Sequence, residues 1–145
     1  MVALSAILAV MLSVPFTTRA DAPDAKTELA KWQGTWEVEL NLTNGQEKPL
    51  KEQTISKVVV KDDVWEVHIK GLDEPVKGTI KIVLDGKIKG LDVSVGTTVF
   101  RAIYLIDGDR AVLRVGDEKD SRPEDFSTSI GSKTGGIMIY KRVKK

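Results

Sequence analysis

His68 is the one histidine of the chain, and there is no cysteine. Those two counts close most routes to catalysis. A thiol nucleophile is absent, any serine–histidine–carboxylate arrangement has to use His68, and a zinc site normally draws on several His or Cys ligands. His68 alternates with Trp65, Val67 and Ile69 on its strand, which turns it outward beside Glu66, toward solvent. Two carboxylate groups are candidates for a cation site. Asp107-Gly108-Asp109 resembles the start of a calcium loop but lacks the later ligands at the required spacing, so it reads as a hairpin turn. Gly116-Asp117-Glu118-Lys119-Asp120 reads as a solvated acidic loop. No carboxylate pair stands out for general acid–base work, and neither catalysis, a metal nor a cofactor is expected.

Binding is the better use of the remaining polar groups. Arg101, Tyr104, Arg114 and Tyr140 are set among aliphatic residues. An arginine or tyrosine facing an apolar interior could fix the head of a small apolar or amphipathic molecule, as a carboxylate is held in fatty-acid carriers. Arg101 faces inward only if Val99, Ile103 and Leu105 do, and Phe100, Ala102, Tyr104 and Ile106 compete for that side. Arg122-Pro123 enters the last connection. Arg122 is expected to order it by pairing with Asp109 or Asp107, and Phe126 to fold back onto the rim.

The elements that must position these groups follow a period of two. In residues 34–42, Trp36, Val38, Leu40 and Leu42 alternate with Glu37, Glu39 and Asn41, the pattern of a half-buried strand. Similar runs occupy 55–61, 64–69, 76–84, 87–95, 99–106, 110–115 and 136–143. Asp85-Gly86 is a two-residue hairpin signal, and Asp107-Gly108-Asp109 joins the sixth run to the seventh. Within 87–95 the apolar phase slips between Ile88 and Leu91, which predicts a bulge at Gly90. Ahead of the strands, residues 27–31 are expected to form one helical turn capped by Thr27 or Asp24. Eight strands linked mostly by tight turns, with no helix long enough for a parallel crossover, predict an all-β fold. The expected form is an eight-stranded antiparallel up-and-down barrel, with a two-sheet sandwich as the alternative.

Trp32-Gln33-Gly34-Thr35-Trp36 places two of the three tryptophans around a glycine just where alternation begins. Glycine lets the chain turn in closely at the base of a barrel. Trp36 then fills the bottom, and Trp32 lies in the plug itself. The last strand adjoins the first once a barrel closes, and it carries Arg142. A guanidinium stacked on Trp36 from there would contribute roughly 0.5–2 kcal/mol. Trp32, Gly34, Trp36 and Arg142 are therefore read as closure residues.

Gly34-Thr35-Trp36 with a late basic residue resembles the lipocalin, or calycin, pattern. The chain is also similar to an uncharacterised lipocalin-like domain family abundant in planctomycete bacteria. Members carry LQGTW, a later GIY-x-LDGD-x-L, then RP-x-x-F, and end near L-x-x-x-KR. The corresponding stretches here are Trp32 to Trp36, Ala102-Ile103-Tyr104-Leu105-Ile106-Asp107-Gly108-Asp109, Arg122-Pro123-Glu124-Asp125-Phe126 and Tyr140-Lys141-Arg142. The resemblance spans about residues 29–142. Ala102 stands where glycine is usual, and Arg114 where the family often has cysteine. What the resemblance implies is a lipocalin-like barrel and an exported protein; it brings no established activity.

Residues 2–16, VALSAILAVMLSVPF, are uncharged and apolar, and Thr18 and Ala20 follow at small-residue positions. The run is short for a spanning helix, which needs ~20 residues, and suits a secretory signal cleaved after Ala20. An uncleaved anchor is the alternative. The expected organisation is a signal peptide (1–20), a flexible segment (21–28) and the barrel domain (29–145). Removing residues 1–20 takes Arg19 away, so the 22 Lys and Arg fall to 21 and match the 21 Asp and Glu. A neutral chain has no electrostatic footprint for nucleic acid or anionic lipid. Export to the periplasm or beyond fits a cysteine-free fold held by its core alone. The sequence thus points to a monomeric barrel that binds a small hydrophobic ligand without stable membrane insertion. A packed module presenting residues 43–53 and 116–135 to a protein partner is the alternative.

Overall fold

The computed structural model describes residues 24–43, 45–116, 121–127 and 136–145. The expected signal segment (1–20) and residues 117–120 of the acidic loop lie outside the described residues. The chain opens with helix α1 (Ala25–Trp32), capped by Asp24, whose carboxylate accepts from the Thr27 amide at 2.6 Å. Residues 25–28, assigned from sequence to the flexible segment, form the first half of this helix because Glu28 is buried there.

Nine strands follow among the described residues: β1 (Gly34–Thr43), β2 (Gln46–Glu47), β3 (Ile55–Lys61), β4 (Val64–Ile69), β5 (Val76–Val83), β6 (Gly90–Val95), β7 (Thr98–Asp107), β8 (Arg110–Val115) and β9 (Gly136–Arg142). Each pairs antiparallel with its neighbours, and β1 pairs with β9, so β1 and β3–β9 form a closed eight-stranded barrel. Closure leaves no free edge in the ring. The two-residue β2 hangs outside it on the far end of β1, with Leu42 opposite Glu47.

Alternation set the inside and outside of most strands as expected. Gly78, Ile80 and Ile82 of β5 are buried while Lys77, Thr79 and Lys81 are exposed. Two local readings need correction. There is no bulge at Gly90: its register is regular with both Val83 and Ile103. The apolar phase slips because residues 87–89 lie outside the strand, and Asp85-Gly86 belongs to a longer connection. Gly90 instead leaves room for the Arg122 guanidinium, which a Cβ there would meet at 2.5 Å. Register shifts occur instead in β1, between Val38 and Leu40, and in β3, between Ile55 and Lys57. Past the shift in β1, Leu40 pairs with Ile139 and Asn41 with Met138. Paired residues share a face, so Leu40 and Leu42 leave the side occupied by Trp36 and Val38.

The end of the barrel nearest α1 is closed by aromatic rings. Trp32 lies 5.6 Å from Trp36, 5.5 Å from Trp65 and 5.3 Å from Tyr104, centroid to centroid. The Trp36 indole donates to the Trp32 carbonyl at 2.8 Å. Arg142 sits 4.2 Å above Trp36, as the sequence predicts. Its guanidinium also donates to the carbonyls of Gln33 and Lys31 and pairs with Asp109. Gly34 makes room for it: φ is +121° and a Cβ would lie 3.1 Å from Arg142 Nη1. Burying Trp32 and Trp36 completely contributes on the order of 4–6 kcal/mol each.

Candidate functional site

Above the aromatic plug the barrel is hollow. The cavity measures about 170 Å³ and its floor and walls include Val58, Trp65, Leu91, Ala102, Leu113 and Tyr140. Val93 lies on the wall between, and nearer the opposite end Ile55, Val67, Val76, Val95, Phe100, Val115 and Met138 complete the lining among the described residues. Phe100 and Val76 combine lining positions with 47% and 36% exposure, which puts the mouth beside β5 and β7. All of these positions except Ile55 follow from the inward phase of their strands; Ile55 joins Val58 on the inner face because the β3 register shifts between Ile55 and Lys57. On β7 the competition is resolved in favour of Phe100, Ala102, Tyr104 and Ile106, and Arg101 therefore faces outward.

The four residues proposed for ligand contact are thus separated. Tyr140 alone reaches the cavity. It is 2% exposed, its hydroxyl donates to Met138 Sδ at 3.3 Å, and its ring meets Trp65 edge-on at 6.4 Å. Burial pushes the Tyr140 phenol well above its ordinary value of 10. Tyr104 points inward but belongs to the plug. Its hydroxyl donates to Glu28 Oε2 at 3.0 Å.

Arg101 and Arg114 are corrections of the expected site: both lie on the outer wall. A guanidinium on the inner face would have to be buried in hydrocarbon without a counter-charge. Outside, Arg101 donates to Asp92 at 3.2 Å, while Arg114 donates to the Asp125 carbonyl at 2.6 Å and its carboxylate at 2.9 Å. Arg122 does not reach Asp107 or Asp109. It donates to Asp92 at 2.6 Å and to the Ala102 carbonyl at 2.7 Å. Residues 121–127 consequently form a strap over the outside of β6, β7 and β8, and Ile103 beneath them is only 1% exposed although it faces outward. Phe126 borders a groove with Ile88 and Leu105 on that same outer surface. Asp109, expected from the sequence to pair with Arg122, instead serves Arg142 and Lys144 beside the β7–β8 turn.

Sequence reasoning missed two carboxylates and one tryptophan. Asp92 stands between two arginines of the outer wall. Glu28 is fully buried and accepts from Lys31 at 2.7 Å, Lys89 at 2.8 Å and Tyr104. Burial opposes its charge, but the two ammonium groups and the phenol outweigh it and hold the carboxyl below its ordinary 4.5. Trp65, read only as an inward residue of its strand, joins plug to cavity. The helical phase of Glu28, four residues before Trp32, was the available signal for the first part of this arrangement.

His68 lies on the outer face of β4, 2.7 Å from Glu66 Oε1, as the alternation requires. Comparison with protein-family models, with curated proteins and with solved structures finds no match to this chain.

Proposed function

We propose that the protein is an exported, monomeric, lipocalin-like carrier that holds a small apolar molecule in the mouth half of its barrel and performs no chemistry on it. The supporting observation is the cavity. A pocket of about 170 Å³ with apolar walls and an open mouth forgoes part of the packing energy that a filled core would have. An occupant recovers that energy, and the exposed Phe100 and Val76 mark the way in. The barrel itself, with Gly34-Thr35-Trp36 beneath Arg142, favours the lipocalin-like reading. The apolar run at residues 2–16, followed by Ala20, favours export.

Native mass spectrometry of the protein, purified without detergent from a bacterial envelope, tests this reading. The expected result is a reproducible extra mass that disappears on denaturation. A bare-chain mass, together with an unchanged melting temperature across a panel of lipids and small apolar compounds, would make the barrel a packed scaffold instead.

A further inference from the structure

Resting on the carrier reading, we infer that the cavity selects an uncharged molecule, one ring or a short chain in size, that presents a single hydrogen-bond acceptor such as a carbonyl oxygen to the Tyr140 hydroxyl. Three features of the cavity lead there. The first is its polar inventory. Of the lining side chains among the described residues, Tyr140 and Trp65 carry the only oxygen and nitrogen. An indole N–H is a donor only, and a phenol is at its best as a donor. Both therefore ask the ligand for an acceptor.

The second is the state of the Tyr140 hydroxyl. It is buried, and the partner it has is the Met138 thioether at 3.3 Å. Thioether sulfur is a weak acceptor, so a carbonyl or ether oxygen arriving nearby is the stronger partner. Met138 itself lines the cavity, and a flexible thioether is easily displaced.

The third is charge. No Asp, Glu, Lys, Arg or His lines the cavity among the described residues. Arg101 and Arg122 are committed to Asp92 on the outer wall, and Arg114 to Asp125. A carboxylate buried here would meet no counter-charge and would stay in water. This departs from the fatty-acid pattern that arginines in the sequence suggest. Size sets the last limit: an apolar cavity of roughly 150 Å³ is enough to hold benzene, so 170 Å³ takes a single substituted ring.

The test uses three probes of equal heavy-atom count: acetophenone, its hydrocarbon isostere α-methylstyrene, and benzoate. Their dissociation constants are measured by titration calorimetry on the purified protein and on Tyr140→Phe. Acetophenone and α-methylstyrene should bind and benzoate should not. Tyr140→Phe should weaken acetophenone about tenfold while α-methylstyrene moves less than about twofold. Benzoate binding as tightly as acetophenone, or an equal loss for both neutral probes, would overturn the inference and leave the carrier reading standing. Failure of all three probes would remove both. Should Tyr140→Phe not fold, Met138→Leu takes its place, because it frees the hydroxyl. That variant should strengthen acetophenone relative to α-methylstyrene about two- to threefold, and an unchanged ratio counts against the inference.

Discussion

Arg142 stacks on Trp36 while its guanidinium reaches the carbonyls that end α1 and pairs with Asp109 across the β7–β8 turn. A planar fork does all three at once, and an ammonium cannot. Arg142→Lys should therefore lose about 1–2 kcal/mol and Arg142→Ala about 2–3 kcal/mol, read as melting temperature. An Arg142→Lys protein as stable as the parent would mean that charge alone matters there. Glu28 works by a different balance. Its folded value is lowered from 4.5, so its stabilisation is complete above that pH and fades as pH falls through the lowered value. Glu28→Gln should melt well below the parent at neutral pH, and the two melting temperatures should converge as pH falls below the ordinary carboxyl value of 4.5. Parallel curves would show that Glu28 contributes through shape rather than charge. Trp36 and Arg142 were legible in the sequence because closing a barrel brings first and last strands together. Arg101 and Arg114 were misplaced because alternation fixes which residues share a face, not which face is the inside.

At the scale of elements, the strap formed by residues 121–127 is held by charges on the outer wall. Asp92 accepts from Arg101 and Arg122, and Arg122 also reaches through to the Ala102 carbonyl on β7. Gly90 is part of the same device, since any side chain there would collide with Arg122. Replacing Asp92 by Asn should cost about 2–3 kcal/mol, less than a fully buried pair because Arg101 stays partly in water. Hydrogen exchange would then quicken across residues 121–127 and leave α1 unchanged. Uniform quickening over the whole barrel would mean that the strap is not a separate unit. The eight strands of the ring were readable within one or two residues, apart from the start of β6, because turn residues and period two agree along the chain; the two-residue β2 outside the ring was not. Gly90 and the β1 irregularity were not readable. A glycine that breaks an alternating pattern looks the same whether it makes a bulge or makes room for an arginine from far along the chain. The Val38–Leu40 shift depends on how β9 meets β1, which no local pattern encodes.

The whole molecule is unequal end to end. Three tryptophans, Tyr104, Arg142 and α1 make one half solid, whereas the other half encloses a void between Trp65 and the mouth. That division could not be read from the sequence, because a cavity is the difference between barrel volume and summed side-chain volume, and neither is a periodic signal. The same division separates what stabilises the protein from what would let it bind. Ala102 tests the separation, being a small buried residue on the cavity wall beside the strap. Ala102→Leu adds three carbons to the void. At ~0.8 kcal/mol per buried methylene, reduced by imperfect fit, it should raise stability by about 1–2 kcal/mol. The same variant should weaken acetophenone and α-methylstyrene alike by at least about tenfold. A higher melting temperature with lost binding would place the ligand in the barrel and show that the hollow is kept at the expense of stability. A higher melting temperature with binding intact would move the ligand to another surface and leave the void a tolerated packing defect.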